Sequence, residues 1–560
     1  MATALLQPKL AADPTPRETA SAGGISSGLA GGVLALFLIV NLPLFLSMPL
    51  DCDIHFYDVC ARNLLRGGVH YRDTFDTNLP GMPWLHTGVR YFLGWSVEAI
   101  RLVDVCVLTV VIAFLLRWLP SATSLATRVA FALVLYCLYF SVTEWCHCQR
   151  DFWMLAPCLL AMELRGRQLA RLCSQGTPAS ISLWAFFEGV VWSIGFWIKP
   201  FVAVPALGCW ILCGLLVRRR GGGRSLALDG LLLLGGGLAS GAVGMWWLWQ
   251  SGSWPYFCDI FFVWNRDYVG FDMTEDLGWL FIAGSFVRFF PWVLVHLIAV
   301  PVAVQTLWSQ TPSQNGKTNI QLAAIFYLAW LFQAVVLQHF FDYIQLPAIF
   351  LGLALAAWRC ATTPQVVLKR CLLAFFLICP VVRYPILLVQ RLPFWERSLR
   401  EGSTAPVKDG LTLLPRVEWC DLEKVEDFLR QQHVRDGELT CFSIQAISLY
   451  NALEVRPSMR HLILQGGYNI FSSHREQIRA ELANSSQRYI VVDLWKKDRP
   501  YLSIPGQPGG DDLPDWVFPK NYKELYPEPS IVLFRAGRYM VLAPCKGRSS
   551  PSSPDSLITP

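Results

Sequence analysis

The chain has 560 residues, of which 54% are Ala, Val, Ile, Leu, Met, Phe, Trp, Tyr or Cys and only 16% are charged. Soluble proteins average about 25% charged residues, so a mean hydropathy of +0.39 with 23 Trp and 34 Phe excludes a wholly soluble enzyme and a disordered chain. The net charge of +6 is too small and too dispersed for a nucleic-acid binder, which leaves a polytopic α-helical membrane protein.

Residues 1–26, with Pro, Ser and Gly throughout, are expected to form a disordered tail. The apolar run that follows is long enough to anchor rather than to be cleaved as a signal. A bilayer crossing needs about 20 apolar residues. Eleven stretches qualify, at roughly 27–49, 100–119, 127–143, 152–164, 180–198, 200–217, 226–249, 286–308, 320–338, 342–358 and 371–390. The fourth is short, and only Lys199-Pro200 divides the fifth from the sixth.

Lys and Arg near span ends favour the cytoplasmic side. With a cytoplasmic N-terminus, the inner turns receive Arg117, Arg128, Arg165, Arg167, Arg171, Arg218, Arg219, Arg220, Arg224, Lys317, Arg359, Lys369 and Arg370. The outer side receives segments 50–99, 144–151 and 250–285 and everything after 391, where Asp and Glu collect. The loop from Asp259 to Asp276 carries Arg266, Asp267, Tyr268, Asp272, Glu275 and Asp276. It fits a wet interfacial loop, a flap or a metal-binding rim. Gly221-Gly222-Gly223 and Gly235-Gly236-Gly237 lack the context of a phosphate loop, and the second triple reads as a close helix-packing site.

After 391 the composition changes to that of a small α/β domain, expected over 391–545 and followed by a Ser/Pro-rich disordered tail over 546–560. Asp421 to His433 has helical spacing, with Leu422, Val425, Phe428 and Leu429 on one face, and Arg475 to Leu482 reads as a second helix. Leu439 to Ile444 and Tyr489 to Val492 read as strands. Ile531 to Arg535 and Tyr539 to Leu542, joined by Ala-Gly-Arg, read as a hairpin. Most of the 17 Cys sit in apolar runs as small hydrophobes, while Cys52 with Cys60 and Cys420 with Cys441 are candidate outer-side pairs. Cys146-His147-Cys148 lacks the second ligand pair of a zinc site.

The densest group of acids follows the first span. Asp51, Asp53 and Asp58 fall within eight residues, and Phe56, Val59, Cys60, Asn63 and Leu64 have the spacing of a helix lying at the membrane surface. Acids at a helix start also suit its dipole and solvent, so a cap is the plain alternative for Asp53. A carboxylate at the mouth of a membrane cavity is costly and marks a functional position.

Asp53, Tyr57, Ala61-Arg62, Gly67, Tyr71-Arg72-Asp73, Phe75-Asp76 and Pro80-Gly81 resemble the first outer loop of C-type (GT-C fold) glycosyltransferases. The similar branch is the bacterial one related to dolichyl-phosphate-mannose protein mannosyltransferases and lipid A aminoarabinose transferases. Gly94-Trp95-Ser96 with Ile100-Arg101-Leu102-Val103 resembles the family's entry to its second span. Gln149-Arg150-Asp151, Lys199-Pro200 and Gln338 to Pro347 are also similar. The resemblance covers about 30–390 in architecture, with sharp motifs in 53–104. The chain departs from the pattern at Ile54, where many members have a second acid, at Asn78-Leu79, where a Lys is common, and at Ile344, where a His follows a Tyr.

The resemblance implies a membrane glycosyltransferase of the cell envelope, a hexosyl or pentosyl transferase. It would move a sugar from a polyprenyl phosphate to a hydroxyl on a lipid, glycan or protein at the outer face. Asp53 is the expected base, with Asp51 its neighbour and competitor. Lys199, Arg150 and Arg266 are the expected cations for the lipid phosphate, and Tyr57, Arg72, Asp73 and Asp76 the expected loop and acceptor region. No metal ligand set is assigned, and a divalent cation is the one cofactor left open. Two other classes remain on sequence alone: a transporter or flippase, and a non-catalytic membrane subunit.

Overall fold

The structure, a computed structural model, describes residues 27–173, 178–218, 223–271, 279–308, 315–414, 417–494, 518–528 and 530–544. Both expected tails, Gly221-Gly222 and the acids Asp272, Glu275 and Asp276 lie outside these residues.

Among the described residues seven helices are long and apolar enough to cross a membrane: Gly28–Leu46, Val97–Leu116, Pro200–Arg218, Ser225–Gln250, Asn319–Val336, Asp342–Thr362 and Val366–Glu401. Ala283–Phe289 and Trp292–Trp308 meet at 97°, and as one broken span they make eight. Leu125–Ser141 and Leu183–Ile198 are apolar but shorter. The helix Leu155–Cys173 occupies the fourth expected position but carries Glu163, Arg165, Arg167 and Arg171, so apolarity does not mark it. By length and apolarity the count is therefore seven or eight, against eleven expected.

Charge buried among these helices is matched. Arg165 donates to Asp229 at 2.7 Å and lies 2.8 Å from Glu188, all three side chains being almost fully buried. Gln168 and Trp192 donate to the same two carboxylates at 2.9 and 3.0 Å. In hydrocarbon the alternative is an unsolvated charge, so this cluster ties Leu155–Cys173, Pro178–Ile198 and Gly223–Gln250 together. The last two also touch through glycine: a Cβ at Gly236 would stand 1.9 Å from the Phe186 carbonyl oxygen, and one at Gly189 1.9 Å from that of Leu233. The helix-packing reading of Gly235-Gly236-Gly237 thus holds at Gly236.

After α1 (Ser27–Leu46), the first outer segment forms α2 (Cys52–Leu65) and α3 (Gly81–Leu93), before α4 (Val97–Leu116) re-enters the bundle. Asp51 caps α2, its carboxylate accepting from the Asp53 amide at 3.4 Å. Asp58 on α2 pairs with His86 at 2.9 Å and takes two bonds from Arg90 at 2.7 and 2.5 Å, which fixes α3 against α2. Burial alone would raise the Asp58 pKa, but the His86 and Arg90 hydrogen bonds outweigh it and hold the carboxyl well below the usual range.

The C-terminal residues form a four-stranded sheet in the order β1-β2-β4-β3, with β1 (Leu439–Cys441), β2 (Tyr489–Asp493), β3 (Ser530–Ala536) and β4 (Tyr539–Pro544). β1 and β2 are parallel and the other pairs antiparallel, so the expected hairpin is β3–β4. The expected first strand ends at Cys441, because Ile444–Ala446 turns into a 3₁₀ helix. The helix Trp419–Gln431 buries Leu422, Val425 and Leu429, and its Phe428 stacks on Phe534 at 4.7 Å. Helices Arg475–Ala483, Ser448–Ala452 and Leu464–Ile470 complete the layer. It rests on the first outer loop: Asn451 donates to the His55 carbonyl at 3.0 Å, Arg62 to that of Asn451 at 3.3 Å, and the Phe75 amide to that of Arg460 at 2.8 Å. Cys60, Cys420 and Cys441 are in no disulfide, so neither candidate pair is formed.

Candidate active site

Three segments distant in sequence meet between the bundle and the outer loops. Gly81, at the start of α3, makes the first approach possible, because a Cβ there would lie 2.3 Å from the Trp197 carbonyl oxygen. That contact sets the Thr77–Leu79 turn beside Lys199. The second segment is Gln149–Asp151, where a short helix begins at Arg150. The third is the Trp254–Gly270 stretch, whose Asn265 donates to the Thr77 carbonyl at 3.2 Å.

Together they enclose a cavity of about 920 Å³. Arg150, Lys199 and Arg266, the three cations expected to meet a phosphate, all line it. Their states differ. Lys199 is buried and donates to both oxygens of Asp151 at 2.8 Å, so its charge is already matched. Arg266 is exposed at the rim. Arg150 is 8% exposed, its Nε is buried with no hydrogen-bond partner, and no carboxylate pairs with it among the described residues. An unpartnered buried guanidinium is expensive and aimed at something anionic. The rest of the wall is largely apolar, including Phe201, Phe261, Val269, Leu337 and Ile344.

Asp53 reaches this group from α2: its carboxylate accepts from Gln149 Nε2 at 3.1 Å, one residue before Arg150. The charges of Asp53, Asp76, Asp151 and Arg150 all act on the Tyr57 and Tyr268 hydroxyls, which places them in one electrostatic neighbourhood. Asp76 is buried; one oxygen accepts from the Asn78 amide and side chain at 2.9 and 2.8 Å, and the other lies 3.7 Å from His70 Nε2. It therefore shapes the turn at the cavity edge. Tyr57 is buried on α2 against Phe56 and His86.

Arg72 and Asp73 stand apart from this cavity. They bond each other at 2.6 and 3.0 Å and line a separate pocket of about 330 Å³ with Arg62, Arg66, Arg456 and Arg460. Asp73 also accepts from the Val69 amide at 2.7 Å, so the pair closes the loop on itself.

Asp51, Cys52 and Asp53 bring ligand atoms within 4.8 Å of one another, and no other such set occurs among the described residues. Two carboxylates and a thiol fit a divalent cation in charge and donor type. Cys146, His147 and Cys148 do not form such a set; the His147 ring instead bonds the Tyr139 carbonyl at 2.8 Å.

Sequence reasoning missed His339. A His was sought after Tyr343, where Ile344 stands, yet His339 lines the same cavity, edge-on to Tyr268 at 5.2 Å. Burial and the Lys199 ammonium lower its pKa. The missed signal was its position in the turn before Asp342–Thr362, four residues from Tyr343.

No protein-family model matches the chain, and no curated protein matches it by sequence. Solved structures do. ArnT from Cupriavidus metallidurans in its apo state is 14% identical with a TM-score of 0.52, over 92% of this chain and 98% of that one. The same protein bound to undecaprenyl phosphate gives 13% and 0.53, over 94% and 99%. The archaeal oligosaccharyltransferase AglB from Archaeoglobus fulgidus, in complex with an inhibitory peptide and a dolichol phosphate, reaches 10% and 0.40, below the level at which a common fold is established. With ArnT matched along nearly its whole length, the chain has the polytopic membrane fold of the C-type glycosyltransferases.

Proposed function

We propose that the protein is a membrane glycosyltransferase that moves a sugar from a polyprenyl phosphate to a hydroxyl acceptor at the outer face. The observation that carries this reading is Arg150, a buried cation without an acid partner, facing a cavity with apolar walls. Such a cavity suits a ligand with one anionic group and a long apolar chain. ArnT, which shares the fold, has been seen with undecaprenyl phosphate bound.

Bond making and breaking divide between two sides of the site. The acceptor oxygen attacks the anomeric carbon and its proton passes to the Asp53 carboxylate, which Gln149 orients. The sugar–phosphate bond breaks and the lipid phosphate leaves with the bonding pair. Arg150 and Arg266 meet that charge, and the Lys199–Asp151 pair holds the wall of the cavity in place. A divalent cation held by Asp51, Cys52 and Asp53 would supply further positive charge for an anionic oxygen. The sheet-bearing layer over 391–545 belongs, in this reading, to an extracytoplasmic domain that borders the acceptor's approach, with the N-terminus in the cytoplasm.

Asp53→Asn keeps the shape and the Gln149 contact while removing the base. Transfer from a polyprenyl-phosphate sugar should fall by about 10²–10⁴ with the folded yield unchanged. Wild-type transfer by this variant would sink the assignment.

A further inference from the structure

A second large cleft, of about 1100 Å³, lies at the opposite end of the helical bundle. The chain course shows the opposition. Asp342–Thr362 starts with Tyr343 and Ile344 on the candidate active site and ends with Trp358 and Arg359 on the cleft. Sixteen residues of helix separate Tyr343 from Arg359, about 24 Å at 1.5 Å per residue. Asn315–Val336 runs the other way, with Asn319 and Ile320 on the cleft and Val336 on the cavity. The spacing approaches the roughly 30 Å thickness of a bilayer's hydrocarbon core, so the cleft stands at the level of the other headgroup layer.

Its rim holds four arginines and one acid. Glu163 is shared by Arg117 at 2.6 Å and Arg167 at 3.4 Å, both arginines being about half exposed. Arg128 donates to the carbonyls of Leu116, Pro120 and Thr123 and pairs with no carboxylate among the described residues. Half-buried Arg359 adds a fourth charge. The floor is apolar, with Leu119, Met162, Leu169, Ile320 and Leu322. Trp118 and Trp358 sit at the edges, the residue type found where hydrocarbon gives way to water.

We propose that this cleft binds an anionic phospholipid, its headgroup phosphate among Arg117, Arg128, Arg167 and Arg359 and its acyl chains along the apolar floor. The charge imbalance calls for an anion, and the floor beside it calls for hydrocarbon. A soluble phosphate would use only the first. This site shares no lining residue with the proposed glycosyl-transfer site and does not depend on that activity.

The test is lipid binding to the full-length protein in detergent, read by native mass spectrometry and thermal shift. The probes are phosphatidylglycerol, phosphatidylcholine and inorganic phosphate. Wild-type protein should retain phosphatidylglycerol in preference to phosphatidylcholine, and inorganic phosphate should neither displace it nor raise the melting temperature. The double variant Arg117→Gln/Arg359→Gln should weaken phosphatidylglycerol binding by about fivefold per arginine. Glu163→Gln, which removes the single acid, should strengthen it, so a gain is available even where the double variant folds poorly. Equal retention of the two lipids, no gain in Glu163→Gln, or stabilisation by inorganic phosphate alone would each overturn the proposal.

Discussion

Asp53 and Arg150 are adequate chemistry only because of where their neighbours spend their own charge. Lys199 is committed to Asp151, whereas Arg150 is buried with an unpartnered Nε. Arg150→Gln should therefore lower sugar transfer by about 10²–10³, chiefly in kcat, while the folded yield holds. Lys199→Met should instead strand the buried Asp151 and reduce stability by about 3–5 kcal/mol, read as a lower melting temperature. A third residue gives a pH signature. Both ring nitrogens of His55 on α2 are buried without a hydrogen-bond partner, and this desolvation lowers its pKa from 6.5 to about 4. The unfolded chain thus binds a proton at pH values where the folded one does not, so this residue's contribution declines as pH falls from about 6.5 to about 4. The melting temperature of wild type should fall relative to that of His55→Leu across that window on acidification; a constant gap would refute it.

Among elements, the contacts that matter are those that apolar periodicity does not encode. The Arg165, Glu188 and Asp229 cluster joins three helices inside the apolar bundle. Arg165→Met leaves two carboxylates without their cation and should destabilise by about 3–5 kcal/mol. The triple variant Arg165→Met/Glu188→Gln/Asp229→Asn should recover much of that loss, as thermal unfolding in detergent would show. Sequence marked the individual charges but not their partners, because residues 165, 188 and 229 meet only once three helices are packed. The same limit applies to α2 and α3. The amphipathic spacing of α2 at 56–64 was legible, but the Asp58 bridge to His86 and Arg90 on α3 was not, since these residues lie 28 and 32 positions further on.

Across the whole molecule, the membrane bundle, first outer loop and C-terminal layer share one apolar cluster. Leu44 and Ile54, Leu422 and Val425, and Leu449 and Tyr450 belong to it together. Truncation after about residue 400 should accordingly lower the melting temperature of the remaining chain as well as change acceptor choice. An unchanged melting temperature would mean that the layer is an independent appendage. Asp267 makes a further tie, accepting from Ser473 at 2.9 and 2.7 Å, so the loop beside the candidate active site is fastened to the same layer.

What the sequence determined by itself was the solvent of most of the chain and the address of its charge. Hydrocarbon demands long apolar helices, and costly polar residues near them stand out at Asp53, Arg150, Lys199 and Arg266. The strands of the C-terminal layer were legible because short apolar runs and the Ala-Gly-Arg turn are local signals. Tertiary structure alone decided which charges are matched. It paired Lys199 with Asp151, turned Arg72 and Asp73 onto each other, left Arg150 facing a cavity, and brought His339 to its wall. Electrostatic energy depends on distances of a few ångströms between residues tens to hundreds of positions apart, and only packing sets those distances.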